Sequence, residues 1–94
     1  MHNYEIMYIL KANLDDAQRK SAIDKLSKIL TDNGAEIKKV DESMGKRTLA
    51  YPIKDEKEGY YVVLDVIMGN QANDEFNRLV RIDTNVLRHL VLKK

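Results

Sequence analysis

The sequence of 94 residues contains no cysteine, a single proline and only four glycines. The absence of cysteine excludes disulfides, zinc–thiolate sites and thiol nucleophiles, and it fits a reducing compartment without requiring one. No apolar run approaches the roughly 18 residues of a membrane-spanning helix. The first ten residues lack a basic region followed by a small-residue cleavage site, so we expect a cytoplasmic protein without a signal peptide.

Candidate catalytic and metal-binding residues are also scarce. The four glycines stand alone at positions 34, 45, 59 and 69, which excludes both glycine-rich phosphate-binding fingerprints. His2 and His89 are the only histidines, and their separation does not match a metal-ligand spacing. No serine lies in a nucleophile-elbow context. We therefore expect a protein without a catalytic site, a bound metal or a cofactor.

The charge balance is nearly neutral, with 16 basic and 15 acidic residues and a net charge of +1. An autonomous nucleic-acid-binding domain usually has a larger basic excess. Contact with nucleic acid would therefore require that the charges be sorted onto one face, or that a partner supply the rest. The last eleven residues, 84–94, contain no acid but include Arg88, Lys93 and Lys94.

Hydrophobic periodicity predicts the order strand, helix, strand, strand, helix, strand within one domain, residues 1–94. The predicted strands cover residues 4–10, then 35–43 with a continuation over 47–53 after a kink at Gly45, then 59–68 and 86–92; the predicted helices begin near Asp15 and Ala72. This order is typical of the α+β ferredoxin-like β-α-β-β-α-β sandwich. We expect a four-stranded antiparallel sheet with the first and third strands at its centre and two helices on one face.

Several local signals refine this prediction. Asp15 and Gln18 form a capping box for the first helix, and Asn70 or Asn73 is expected to cap the second. The three-residue spacing of two apolar residues, Ile37 and Val40, indicates a β-bulge. Pro52 cannot donate to a strand ladder, so its strand should lie at an edge. The polar stretch 54–59 ends in glycine and is predicted to be the turn of a hairpin.

The hairpin also combines basic and aromatic residues, which are the groups that bind single-stranded nucleic acid by ion pairing and stacking. Tyr60 should face the helices and the core. For Tyr51 and Tyr61, stacking or partner contact and simple surface burial both remain open. The run 57–64 matches the RNP1 motif of RNA-recognition domains poorly, and we reject that motif. The set comprises Arg47, Tyr51, Lys54, Lys57, Tyr60 and Tyr61.

The edge strand that contains Pro52 has two interpretations. An exposed edge invites another chain to extend the sheet, and the sheet face opposite the helices would also be free to bind a partner. Pro52 and the neighbouring charges could equally prevent unwanted pairing. From this region we select Tyr51, Pro52 and Tyr61 as candidate partner-binding residues.

Three stretches carry a resemblance to a known family. They are Y-E-I-M-Y-I-L at residues 4–10, G-K-R-T-L-A-Y-P-I at 45–53 and R-I-D-T-N-V-L-R-H at 81–89. In this order and spacing the chain resembles bacterial small-subunit ribosomal protein six over nearly its whole length. The block L-A-Y-P-I with the preceding Lys46 and Arg47 is the most specific part.

The resemblance implies a non-enzymatic ferredoxin-like protein that binds the central domain of 16S ribosomal RNA in the platform of the small subunit. It also implies a heterodimer with small-subunit ribosomal protein eighteen, a smaller and more basic chain, and neither a membrane nor a small-molecule substrate. Many relatives have basic residues after the first methionine, where this chain has His2 and Asn3. The implied RNA-binding set is Tyr4, Arg47, Lys54, Arg81, Arg88, His89 and Lys93.

Two alternatives on the same fold belong to other functional classes. An acylphosphatase-like enzyme would need an arginine in a phosphate-cradling loop, but residues 11–14 after the first strand contain neither arginine nor glycine. A small-molecule-binding regulatory module would dimerise through its sheet.

Overall fold

The computed structural model describes residues 1–54 and 56–94 of the chain. Its elements are β1 (His2–Lys11), α1 (Asp16–Asp32), β2 (Glu36–Ile53), β3 (Glu56–Met68), α2 (Asn70–Ile82) and β4 (Val86–Lys93). The strands form one antiparallel sheet in the order β2-β3-β1-β4. The predicted ferredoxin-like fold is therefore confirmed, with β1 and β3 at the centre. Neither described helix is long and apolar enough to cross a membrane.

The main core lies between the helices and one face of the sheet. Alternation places three fully buried residues of β1 and four of β3 on this face. The helices cover them with side chains at three- and four-residue spacing. Each buried aliphatic side chain stabilises the fold by about 1.5–3 kcal/mol. The central residues are Ile6, Tyr8, Leu10, Val62, Leu64 and Val66 from the strands, and Leu26, Leu30, Phe76 and Val80 from the helices.

The ends of α1 follow from the local sequence. The Asp15 carboxylate accepts a hydrogen bond from the Gln18 amide at 2.7 Å, and the Gln18 side chain accepts one from the Asp15 amide at 3.1 Å. This confirms the predicted capping box. At the other end, Gly34 has φ +87° and the Ala35 amide donates to the Leu30 carbonyl at 3.0 Å. Glycine adopts this left-handed conformation without the steric cost of a Cβ.

The predicted caps of α2 are wrong. The residue before the first helical turn is Gly69, which has no side chain to cap the helix, and Asn70 and Asn73 already lie inside it. The Asn73 amide donates to the Gly69 carbonyl at 3.2 Å. Without a side-chain cap, the helix is stabilised by the burial of Phe76 and Val80.

β2 is an edge strand, as Pro52 predicted, and it continues through Gly45 over 18 residues. Its pairing with β3 shifts register between Ile37 and Lys39, which confirms the predicted bulge. A second shift includes Gly45, whose φ of +60° produces the predicted kink. A third shift precedes Ile53 and turns the end of β2 over the sheet.

The predicted hairpin is confirmed, but its predicted turn over residues 54–59 is too long. β3 begins at Glu56, which pairs with Ile53, and Lys54 has φ +50°; Asp55 lies outside the described residues. Gly59 is a buried strand residue rather than a turn glycine. A Cβ at this position would collide with the Cγ2 methyl of Ile9. Gly59 is therefore required for the close approach of a neighbouring side chain and not for a turn.

Candidate nucleic-acid and partner interface

The sheet face turned away from the helices, which we call the open face, has an apolar centre. Met7 of β1, Val63 of β3 and Leu90 of β4 lie side by side there because they are cross-strand partners. They line a hollow of about 270 Å³ that the chain leaves open to solvent. We call its lining the trough, which consists of Glu5, Met7, Met44, Val63, Leu90 and Leu92.

The hairpin end of the open face is partly covered by the end of β2. Leu49 packs there against Ile9 and Leu87, and all three are at least 91% buried. Tyr61 packs against this small cluster and is half-buried, whereas Tyr51 is 55% exposed. Both tyrosines line a second hollow that adjoins the trough at Met7. The structure thus brings Tyr51 and Tyr61 together. Pro52 is exposed beside them on the edge strand.

Arg88 and Lys54 link the end of β2 to β4. Arg88 donates a hydrogen bond to the Tyr51 hydroxyl at 2.6 Å, and its guanidinium carbon lies 5.5 Å from the centre of that ring. Lys54 donates from Nζ to the carbonyl of Val86 at 3.2 Å. Both predicted RNA-binding cations therefore also have a structural contact. Arg88 also lines the same hollow as the two tyrosines. Its substitution would therefore change both this hollow and the contact between β4 and the end of β2.

Four other predicted RNA-binding residues lie on the helix side of the sheet, near the edge that β4 forms. Tyr4 pairs with Lys93 across β1 and β4, and it packs against the main core. His89 lies on the same face of β4 as Lys93. Arg81, at the end of α2, is close enough to lower the pKa of His89. Arg81 and Lys93 are exposed and form no ion pair with a described residue. We call Tyr4, Arg81, His89 and Lys93 the edge set.

His89 is held by α2 rather than directed freely into solvent. Its Nε2 lies 3.0 Å from the Oδ1 of Asn77, and its ring packs edge-on against Phe76 with centroids 6.2 Å apart. Burial, followed by the positive charge of Arg81, lowers the pKa of His89 below its ordinary value. The neutral imidazole is thus favoured, and His89 contributes a hydrogen-bonding ring rather than a positive charge.

Arg47 stands apart from both groups, on β2 opposite Gly59. It is exposed, and its Nε donates to the Met44 carbonyl at 2.9 Å. The predicted RNA-binding residues therefore fall into three places: the edge set, the pair of Arg88 and Lys54, and Arg47 alone. No group of three histidine, aspartate or glutamate side chains converges as a metal site within residues 1–54 and 56–94.

The sequence predicts a free sheet face opposite the helices, but none of the residues of the trough is among the predicted partner-binding residues. Its signal was present, because β1, β3 and β4 alternate apolar residues on both of their faces rather than on one. The contribution of Met44 had no such signal. It joins the trough because β2 shifts its register between Asp41 and Gly45.

Comparisons with known proteins show what the chain and its fold are similar to. A family model described as ribosomal protein S6 matches residues 3–93. The small ribosomal subunit protein bS6 of Shouchella clausii is 54% identical over 93 residues, covering 99% of this chain and 97% of the relative. The protein of the same description from Halalkalibacterium halodurans is 52% identical with the same coverage. The crystal structure of 30S ribosomal protein S6 from Thermotoga maritima has a TM-score of 0.92 at 28% identity, covering 99% of this chain and 87% of that chain.

Proposed function

The chain belongs to the ribosomal protein S6 family, and from this premise we propose that it binds the central domain of 16S ribosomal RNA as a heterodimer with small-subunit ribosomal protein eighteen. Family membership makes it a structural protein of the small ribosomal subunit, which confirms the resemblance and the expected absence of enzymatic activity. The acylphosphatase-like and regulatory alternatives are thereby set aside. RNA binding and the heterodimer are the two proposed elements.

The observation that carries the proposal is that β4 separates two chemically different surfaces. On the helix side of the sheet, Arg81 and Lys93 are both exposed, and residues 84–94, which include Lys93, contain no acid. On the open face, Leu90 and Leu92 are 45% and 48% exposed. A cationic edge suits RNA phosphates, while exposed apolar residues on one face suit a protein partner.

The near-neutral charge of the chain supports a shared interface. A net charge of +1 provides few phosphate contacts, so a basic partner would contribute much of the neutralisation. Each phosphate contact on single-stranded RNA steepens the dependence of log K on log salt by roughly 0.7. If Arg81 and Lys93 each contact one phosphate, removing both should reduce that slope by about 1.4.

The test compares the double variant Arg81→Ala/Lys93→Ala with Lys28→Ala, which removes an exposed lysine of α1. Affinity for a central-domain RNA fragment is measured in the presence of ribosomal protein eighteen at several salt concentrations. We expect the double variant to bind about tenfold more weakly, equivalent to about 1.4 kcal/mol, and Lys28→Ala to bind like the unmodified chain. An affinity and a salt slope of the double variant that equal those of the unmodified chain would remove Arg81 and Lys93 from the RNA interface.

A further inference from the structure

A groove between α1 and the edge strand β2 lies on the helix side of the sheet, away from the open face. Its volume is about 380 Å³, which is within the range of small-molecule sites. We propose that this groove binds a small organic ammonium ion, such as a linear diamine, whose charged end is held by Asp24, Glu42 and the hydroxyl of Tyr8. The groove contains none of the residues used in the proposed function, and the inference does not depend on that function.

Part of the groove is lined by side chains that already pair with one another. Arg19 of α1 donates from Nη1 to the Oδ1 of Asp16 at 2.7 Å, and its guanidinium carbon lies 4.3 Å from the centre of the Tyr60 ring. The hydroxyl of Tyr60 in turn donates to the Oε1 of Glu42 on β2 at 3.0 Å. These contacts join α1 to β2, and the charge of Arg19 is offset by Asp16 within the chain.

The remaining charged groups of the groove leave an excess of negative charge. Three carboxylates and two cations line the groove in total. Once Arg19 and Asp16 are paired, Lys20, Asp24 and Glu42 remain, and none of these three forms an ion pair with another described residue. A bound cation offsets this excess, whereas a bound anion is repelled by it.

A buried hydroxyl, that of Tyr8, is directed towards the groove. Tyr8 is fully buried, and its hydroxyl has no hydrogen-bond partner in the described part of the chain. Tyr8 lies on the same sheet face as Tyr60, two register positions away on the neighbouring strand, and the Tyr60 hydroxyl reaches Glu42. After burial, the charges of Glu42 and Asp24 are what raise the pKa of Tyr8. A buried hydroxyl without a partner is costly, and a ligand that donates to it removes that cost.

The lining of the groove favours an organic cation over a metal ion. Within residues 1–54 and 56–94, no three histidine, aspartate or glutamate side chains converge closely enough to hold a metal. The groove is also lined by the apolar side chains of Ile23 on α1 and Val40 on β2, and 41% of Val40 is exposed. An ammonium group on a short hydrocarbon chain matches both features, because its methylene groups cover apolar surface while its N–H groups donate to oxygens.

The first experiment measures the binding of putrescine, a four-carbon diamine, to the chain by calorimetry at neutral pH and constant ionic strength. We expect a Kd of about 1 mM, as is reasonable for so small a ligand. Asp24→Asn keeps the shape of the side chain and removes its charge, and it should weaken binding about tenfold. The matched control is Asp32→Asn, which removes the same charge from an exposed position of α1 outside the groove and should leave the affinity unchanged.

Tyr8→Phe separates binding from folding. It should weaken the binding of putrescine about fivefold, because the ammonium group loses one acceptor. It should not lower the melting temperature of the chain without ligand, since it removes a buried hydroxyl that has no partner among the described residues. If Tyr8→Phe binds putrescine as tightly as the unmodified chain, or if it binds more weakly only because it melts at a lower temperature, the inference is overturned.

Thermal melting with added ligand tests the selectivity of the groove. Putrescine at ten times its Kd should raise the melting temperature of the unmodified chain by about 6 °C, and Asp24→Asn should show a clearly smaller rise. Magnesium chloride at the same ionic strength should give no comparable rise. An equal rise with magnesium, or equal rises for Asp24→Asn and Asp32→Asn, would show unspecific attraction of cations and overturn the inference. RNA binding is measured separately, so failure here leaves the proposed function intact.

Discussion

The hydroxyl of Tyr8 is the one group of the main core whose removal should stabilise the protein. Tyr8 is fully buried on β1 between the sheet and the helices, and its hydroxyl has no hydrogen-bond partner among the described residues. A buried polar group without a partner costs about 1–3 kcal/mol in desolvation. Tyr8→Phe removes that cost and leaves only the volume of one oxygen unfilled. We therefore expect Tyr8→Phe to increase the free energy of unfolding.

The expected magnitude is about 0.5–1.5 kcal/mol, because the lost oxygen contacts offset part of the desolvation cost. In a domain of this size each kcal/mol raises the melting temperature by about 4–8 °C. The matched control is Tyr60→Phe, since the Tyr60 hydroxyl donates to the Oε1 of Glu42 at 3.0 Å. Removing that hydrogen bond should be neutral or should destabilise by up to about 1 kcal/mol.

Alkaline pH provides an independent check on Tyr8. Burial, followed by the charges of Glu42 and Asp24, raises the pKa of Tyr8 well above its ordinary value of 10.0. The folded chain thus keeps Tyr8 protonated where the unfolded chain ionises it, so stability is present below pH 10.0 and falls as the pH rises beyond it. Tyr8→Phe should weaken this fall. Burial also raises the pKa of Tyr60, so part of the fall should remain.

Urea unfolding of the two variants, followed by circular dichroism at neutral pH and at pH values above 10, measures both effects. The reasoning is refuted if Tyr8→Phe lowers the free energy of unfolding by 1 kcal/mol or more, as expected for a hydroxyl that is hydrogen-bonded in the folded state. An unchanged alkaline fall in Tyr8→Phe would contradict the raised pKa.

Two further predictions concern Gly59 and His89. Gly59→Ala should destabilise the fold by about 1–3 kcal/mol because the new Cβ would displace the side chain of Ile9. Gly69→Ala is the control, because its nearest neighbour outside the adjoining residues would lie 3.9 Å from the new Cβ, and it should change the free energy of unfolding little. Equal urea midpoints for the two variants would contradict this prediction. Because the pKa of His89 is lowered from 6.5 in the folded chain, stability should fall as the pH drops below that value. His89→Gln should flatten this fall between pH 7 and 5, and an unchanged pH profile of the urea midpoint would show that His89 does not cause it.

The elements with strong periodicity could be predicted from sequence. Periodicity predicts β1 and β3, and the single proline predicts that β2 lies at an edge, because proline cannot donate to a ladder. The capping box of α1 could also be predicted, since both of its hydrogen bonds connect residues only three positions apart. These features depend on local sequence or on the alternation of side chains between the two faces of a strand.

Features that depend on distant residues could not be predicted. The charged run after Ile53 resembled a loop, yet the strand continues through most of it because β3 pairs with both β1 and β2. The sequence predicts Gly59 in a turn. The reason for glycine at this position, its proximity to Ile9, exists only in the folded sheet and leaves no local signal. The hydrogen bond between Arg88 and Tyr51 joins residues 37 positions apart, so no sequence spacing could reveal that Arg88 contacts the end of β2.

Binding of ribosomal RNA together with a basic partner is the proposed function of this chain. Its most direct test measures the affinity of the chain for a central-domain fragment of 16S ribosomal RNA, alone and with equimolar ribosomal protein eighteen. We predict weak binding alone and binding at least 100-fold tighter with the partner, equivalent to about 2.7 kcal/mol of coupling. Equal affinity with and without the partner, or no binding in its presence, would contradict the account.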